Sequence, residues 1–408
     1  MKIVIIGGGA SGMTAAIEAA GYGNENKIII LERLDRVGKK ILATGNGRCN
    51  FSNINAGVNN YYGRNSNFVS YALNEFNVDN TLNFFNRLGV FPKEEKDGKL
   101  YPFSDQASSV SDALRNEIER LKINVITGFY VADVKKNKWN FKITGKDGQS
   151  ITADKVIVAG GGCASPALGS DGSAFDILKK LGHGITQVVP ALVQMKTDPK
   201  EVKSLQGIKF TGNVSIVYRD NVIGSEYGEV LFTDYGISGP PVFQLSAKTA
   251  FKKNIKAVLD FMPEYSPKDV YDILESRREF LSHLTMEGYF TGLLNKRIGN
   301  VIAKKAGIEK LSLSVGKLNK QLLWAMTSLI KGFELEIKGT KGFQNAQVTA
   351  GGINTEEFDS RTMESRIVKG LYACGEVLDI YGDCGGYNLQ WAWSSGRLAG
   401  RSAANIKE

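Results

Sequence analysis

Three groups of residues in this sequence have the types and spacing that chemistry requires. The first is Gly7-Gly8-Gly9-Ala10-Ser11-Gly12, a G-x-G-x-x-G pattern, with Glu32 placed twenty residues beyond Gly12. In such a pattern Gly7 permits a tight turn, Gly9 lets the backbone approach a pyrophosphate, and Gly12 lets helix and strand pack closely. The N–H groups at the start of the following helix attract phosphates, and the acid accepts from ribose hydroxyls. The pattern predicts a dinucleotide and leaves FAD and NAD undistinguished, because both carry adenosine diphosphate. The second group is GKKILATGNGRCNFSN, residues 38–53, a polar run with three glycines, three asparagines, one arginine and one cysteine. It is too ordered in chemistry for a linker and lacks the apolar spacing of a helix. The third lies near the C-terminus, where Gly375-Glu376 closes a strand and Gly385-Gly386-Tyr387-Asn388 opens a helix. A helix start of that kind favours a group that becomes negative, such as the N1–C2=O edge of a flavin on reduction. Tyr381, Asp383 and Tyr387 in the same run are able to deliver a proton. None of them is singled out as catalytic.

These groups need particular elements to position them. Residues 2–6 are β-branched and apolar, as in a strand buried on both faces. A small-residue helix follows over 13–20, then a second apolar strand over 27–31 that ends at Glu32. Helices are predicted over 79–88, stopped by Gly89, and over 107–121, with Val110, Leu114, Ile118 and Leu121 near helical spacing. Residues 124–162 alternate with turn signals at Lys136-Asn137 and Asp147-Gly148. They read as an antiparallel meander that returns to an apolar strand at 155–159 and the cluster Gly160-Gly161-Gly162. Beyond Pro190 short strand-like runs dominate, with a loop at 234–241 expected to be exposed. Helical patterns then occupy 267–330. Trp391 and Trp393 read as core packing. Two mononucleotide strands, a helix, a three-stranded meander and a strand ending in Ala-Gly-Gly resemble the layout of glutathione-reductase-type FAD domains. The expected fold class is therefore α/β, a Rossmann-type FAD-binding domain with an inserted β domain and a small helical domain. The corresponding boundaries are 1–190 with 341–408, 191–264 with 325–340, and 265–324.

Composition narrows the class. The chain has 408 residues, too many for one core, with 42% hydrophobic and 23% charged residues, as in soluble globular proteins. The net charge is +9, but the basic residues are scattered in short runs such as Lys135-Lys136 and Lys304-Lys305. That distribution argues for a solvated surface and against a nucleic-acid face. Cys49, Cys163, Cys374 and Cys384 lie far apart without a C-x-x-C pair, which argues against zinc and dithiol chemistry. Two histidines make a His-based metal site an improbable reading, and no metal is expected. No apolar run has transmembrane length, so the expectation is a soluble, cytoplasmic protein that does not engage a membrane.

Taken together, Gly7–Gly12, GKKILATGNGRCNFSN, VIVAGGG, LFTDYGISGP, VTAGGINTEEFDSRTMES and GLYACGEVLDIYGDCGGYNLQWAWSSG resemble one family. It is the bacterial flavoproteins related to BaiN-type 3-dehydro-bile-acid Δ4,6-reductases, also described as aminoacetone-oxidase-like. The likeness covers nearly the whole chain. It implies FAD, held in a glutathione-reductase-type domain, and it implies that residues 38–53 wrap the cofactor near its pyrophosphate and flavin. The cofactor-binding residues implied are Gly7, Gly9, Ala10, Ser11 and Gly12; Glu32, Arg33 and Lys40; Asn46, Gly47, Arg48, Cys49 and Asn50; Val131; Ala159, Gly160 and Gly161; Gly375 and Glu376; and Gly386, Asn388 and Leu389. Lys40 and Arg48 would supply charge, and the asparagine amides both donate and accept. Cys49 reads as a small packing residue and not as a redox centre. Asp234 stands where the family usually carries a histidine.

The resulting expectation is an FAD-dependent oxidoreductase in which NAD(P)H reduces the flavin and a small enone-like substrate accepts the hydride. With no second complete G-x-G-x-x-G, NAD(P)H would dock only transiently. The alternatives are an oxidase that acts on an amine with dioxygen, and an FAD-containing RNA-modifying or RNA-binding protein. An oxidase would consume oxygen and release peroxide without NAD(P)H. Salt-sensitive RNA binding would mark the last.

Overall fold

The computed structural model describes residues 1–22 and 26–404. The chain divides into two compact units, Met1–Ala191 with Phe343–Glu408, and Leu192–Gly342. The first is built around β1 (Lys2–Ile6), whose last four residues are buried. Its neighbours are β2 (Lys27–Leu31) and the strand Lys155–Val158, both parallel to it. Leu371–Ala373 and Asn124–Ile126 complete a five-stranded parallel sheet at its two edges. Strands covered on both faces must be apolar throughout, which is why KIVII and KIIIL carry no alternation. Because all five strands run the same way, Gly7, Glu32, Ala159 and Cys374 all emerge at the same end of the sheet. In open α/β sheets that is where ligands bind.

Helix α1 (Ala10–Gly21) and the C-terminal helix Tyr387–Ala404 pack closely. A Cβ on Gly396 would overlap the carbonyl oxygen of Ser11, and one on Gly400 that of Ala15. Trp391 and Trp393 are buried, as expected of core residues, but they also carry hydrogen bonds. Their indole N–H groups donate to Gly375 O (3.1 Å) and Phe51 O (2.8 Å). The core tryptophans therefore brace two loops that lead to the sheet's carboxyl end. Gln390 is also fully buried and saturated. It accepts from Ser52 Oγ (2.6 Å), and its two N–H groups donate to Thr81 Oγ1 and Ser394 Oγ (2.9 Å each), with Ser394 Oγ donating on to Phe76 O (2.7 Å). A buried amide so satisfied costs little and specifies one register.

The helices at Val78–Arg87 and Ala107–Arg120 lie where the periodicity placed them. So does the meander Val131–Lys136, Phe141–Gly145 and Ser150–Ala153. Residues 38–53 differ from expectation in one respect, since Lys39–Leu42 form a single helical turn before the irregular backbone begins.

In the second unit a seven-stranded sheet packs against the helices Pro240–Lys248 and Lys320–Lys331, and Pro267–Phe280 and Lys296–Lys305 pack on the latter. Strand residues Leu259 and Phe333 share one core with helix residues Leu274, Ile302 and Met326. The β and helical segments thus lie within a single compact unit. Residues 234–241 are not the open loop expected. Gly236–Ser238 is a strand with Ile237 buried, and Pro240 starts the helix Pro240–Lys248. Proline at the first helical position sacrifices no intrahelical hydrogen bond.

In the first unit His183 forms a buried relay. Nδ1 lies 3.0 Å from Glu357 Oε2, Nε2 lies 3.0 Å from Ser365 Oγ, and the ring stacks on Phe358. Ser365 Oγ already accepts from the N–H groups of Ile367 and Val368, so its own proton is directed to Nε2. Burial pushes the imidazole below its ordinary 6.5, with Glu357 opposing in part.

Two outcomes follow from this packing. Gly396→Val forces α1 from the C-terminal helix and should cost roughly 2 kcal/mol or more, read as a lowered urea midpoint. The unfolded chain takes a proton on His183 below 6.5 while the folded chain resists it, so stability should fall as pH drops from 6.5 toward 5. His183→Gln should be less stable at pH 7 and should lose part of that acid sensitivity in urea titrations across pH.

Candidate cofactor site

The carboxyl ends of the sheet supply the site from the backbone upward. At the end of β1, Gly7 adopts φ +105° and donates to Leu31 O (2.8 Å). A Cβ on Gly12 would overlap the Gly7 carbonyl, so α1 begins as close to the strand as backbone allows. Gly9 is different. It is the N-cap of α1 with no side-chain cap, and a Cβ built there meets nothing within 4 Å. The protein's own packing does not require glycine at Gly9, whereas a phosphate resting on the N–H groups of Gly9, Ala10 and Ser11 would.

Glu32 is buried at the end of β2 and also organises the turn. One carboxylate oxygen accepts from Gly8 N and the other from Leu34 N, both at 2.8 Å. An ionised carboxylate offers about four acceptor positions, so two remain for hydroxyls. Arg33 pairs with Asp171 and donates to Pro166 O, while its buried Nε has no partner among the described residues. Val131 belongs to the same end of the site, since Phe129 N donates to Glu32 O (2.9 Å) two residues before it.

Lys40 does not stand alone. It forms an ion pair with Glu376 (2.9 Å), whose other oxygen accepts from Thr349 N (2.8 Å), and lies 3.5 Å from Ser170 Oγ. The pair ties the segment after β2 to the turn after Leu371–Ala373, with Gly160 and Gly161 on the neighbouring strand end. Gly375 has φ +76° and a built Cβ would lie 2.5 Å from Ser11 Oγ, so this turn also rests on α1.

Residues 45–50 form an unusual backbone. Gly45, Asn46, Gly47 and Cys49 all have φ between 55° and 85°. The run folds the loop back on itself, with Arg48 N donating to Gly45 O (3.2 Å) and Cys49 N to Thr44 O (3.0 Å). Asn50 is buried with an unpartnered Oδ1 beside Gly386, at the start of the C-terminal helix. Arg48 is turned elsewhere: it pairs with Glu95 and Asp105 and lies over the Tyr101 ring (4.2 Å). Its charge is therefore committed to the neighbouring hairpin and anchors the loop. Cys49 is fully buried, and desolvation pushes its thiol up to about 12, the state of an inert packing residue.

At the helix start, Asn388 closes the preceding loop, accepting from Gly382 N (2.7 Å) and donating to Gly382 O and Asp383 O. Leu389 packs on the core. Tyr381 and Tyr387 are buried, and desolvation raises both phenols. Asp383 accepts from Tyr62 Oη (2.6 Å) and Asn60 Nδ2 (3.0 Å). Tyr62 reaches it because Tyr61–Tyr62 pairs antiparallel with Tyr381–Gly382. Sequence reasoning missed Tyr62 and Asp171, since each acts across more than a hundred residues and belongs to no local pattern. The open Gly9, the unpartnered Asn50 Oδ1 and Arg33 Nε, and the partly used Glu32 all fit an extended dinucleotide. Among the described residues no cluster of His, Cys, Asp and Glu is arranged to hold a metal ion.

Comparison with known proteins agrees with this geometry. The family model for the HI0933-like protein Rossmann domain matches residues 1–402. A 3-dehydro-bile acid delta(4,6)-reductase of Clostridium scindens is 41% identical over 407 residues, covering 99% of each chain. A ribosomal RNA dihydrouridine synthase of Escherichia coli is 30% identical over 393 residues, covering 96% of this chain and 95% of the relative. Among solved structures, a 3-ketosteroid-delta4-(5alpha)-dehydrogenase from Rhodococcus jostii RHA1 covers 99% of this chain and 96% of its own, at 15% identity and a TM-score of 0.49. That last overlap is too loose to bear on chemistry. The full-length match and the Rossmann cleft together place the chain in the HI0933-like family, as an FAD-dependent oxidoreductase.

Proposed function

We propose that this protein is an NAD(P)H-linked flavin reductase that saturates a carbon–carbon double bond conjugated to a carbonyl in a small substrate. The observation that carries this reading is the 41% identity, along the whole chain, to a 3-dehydro-bile acid delta(4,6)-reductase. FAD, when bound and reduced, is the hydride donor; the chain supplies binding, orientation and a proton.

The N–H groups of Gly9, Ala10 and Ser11 would hold the pyrophosphate, and Glu32 the ribose. Arg33 braces the segment carrying Pro166 and Asp171 beside them. Lys40 and Glu376 clamp the middle of the cleft, and Gly386 to Leu389 present the positive end of an 18-residue helix to the flavin. Reduction of a double bond also needs a proton. Tyr62 is half-buried and bonded to Asp383, while Tyr61 is buried and committed to Tyr387 O. Tyr62 is thus the phenol of this group best suited to hold the transferable proton, with Asp383 orienting it.

A second reading rests on the ribosomal RNA dihydrouridine synthase. Its product differs from uridine by saturation of a double bond conjugated to a carbonyl, so the chemistry asked of the site is the same and only the substrate differs.

The purified protein should be yellow and should bleach anaerobically on addition of NADPH or NADH, and a 3-dehydro-Δ4,6 bile acid should restore the colour. Bleaching followed by reoxidation with uridine-containing RNA, and not with the steroid, would move the assignment to the second reading. Failure to bleach, with peroxide formed from an amine in air, would overturn both. Tyr62→Phe should leave the flavin spectrum unchanged and lower kcat about 100-fold, with a weakened pH dependence. Glu32→Ala should lose flavin on gel filtration, whereas Cys49→Ala should retain it.

A further inference from the structure

The hairpin Val131–Lys136 and Phe141–Gly145 projects a tip whose chemistry the reductase reading does not use. Residues 134–146 read VKKNKWNFKITGK, with five lysines and no acid. Asn137 N donates to Asn140 O (2.8 Å) and Asn137 Nδ2 to Asn140 Oδ1 (3.1 Å), closing a four-residue turn. Lys138 and Trp139 occupy its corners. Trp139 is 80% exposed, the most exposed large apolar side chain among the described residues, with Lys138 Nζ 5.0 Å from its ring centroid. On the solvent face Lys135 stands directly opposite Lys142 across the ladder.

Both features are costly for an isolated protein. Like charges directly opposed on a sheet destabilise it, and an indole in water forgoes the burial of a large apolar surface. Asp133 is 3.8 Å from Lys135 and shared with Lys180. Among the described residues Lys138 and Lys142 have no carboxylate within ion-pair distance. An anionic partner would relieve the repulsion and cover the ring.

We infer that this hairpin is a peripheral docking element for an anionic lipid surface. A protruding indole flanked by lysines suits the headgroup boundary, where tryptophan is favoured and lysine stems extend toward phosphates. Binding to single-stranded nucleic acid uses successive aromatic platforms, and this tip offers one. Among the described residues no helix is long and apolar enough to cross a membrane, so the attachment is superficial and reversible. The inference is independent of which substrate the flavin serves.

The test is sedimentation of the holoprotein with vesicles of phosphatidylcholine alone, or mixed with phosphatidylglycerol at about three to one. Binding is expected only to the anionic vesicles, to weaken with salt, and to blue-shift tryptophan emission. Trp139→Ala should abolish the shift, and each of Lys135→Gln, Lys138→Gln and Lys142→Gln should weaken binding about fivefold. These exposed positions lie outside the cofactor site, so an unchanged flavin spectrum verifies the fold of each variant. Equal binding to neutral vesicles, no binding at low salt, or binding indifferent to the variants overturns the proposal. So does a hairpin-dependent gel shift of oligouridylate RNA without vesicle binding, which would assign the element to nucleic acid.

Discussion

The cofactor cleft depends on how closely backbone approaches backbone around the first turn of α1. Gly12 lies against the Gly7 carbonyl, and Gly396 against the Ser11 carbonyl. Because no side chain intervenes, the N-terminus of α1 is pinned between the central strand and the C-terminal helix. Its free N–H groups are therefore aimed along the sheet's carboxyl edge without any capping side chain. Glu32, Gly160 and Gly375 are measured from that fixed point, through Gly8 N, Gly7 and Ser11 respectively.

Polar groups then lock what the close packing brings together. Glu32 spends two of its lone pairs on backbone N–H groups, which makes it a structural cap as well as a candidate ribose partner. The Lys40–Glu376 pair and the Arg48–Glu95–Asp105 group act differently. The first spans the middle of the cleft, where the two charges are partly shielded from solvent. The second sits at the rim and fastens the loop to its neighbouring hairpin. Exposed pairs of the rim type contribute little to stability; this one fixes where residues 46–50 lie.

The legible part of the protein was that carried by local pattern. β1, α1 and β2, the helices at 78–87 and 107–120, and the meander all declare themselves by periodicity, since each buries a face on a simple repeat. Cys49 was readable as packing for a different reason, the lack of a partner cysteine nearby in the sequence. The region 234–241 was misread because glycines and prolines that usually mark turns here permit a buried strand and start a helix. The lysine-rich hairpin was overlooked as well: in the chain its charges look scattered, and only strand pairing sets Lys135 against Lys142.

The sequence by itself determined the cofactor class, through glycine spacing and an acid at a strand end, because those requirements are met within thirty residues of chain. It also determined the sheet's buried strands, since their apolar runs have no other stable environment. Only the tertiary structure decided which charges remain available. Arg48 is committed to a hairpin, Lys40 to Glu376, and Tyr62 is delivered to Asp383 across 321 residues. Ion pairs and proton-bearing contacts depend on distances of a few ångströms between segments remote in sequence, and no local repeat encodes those distances.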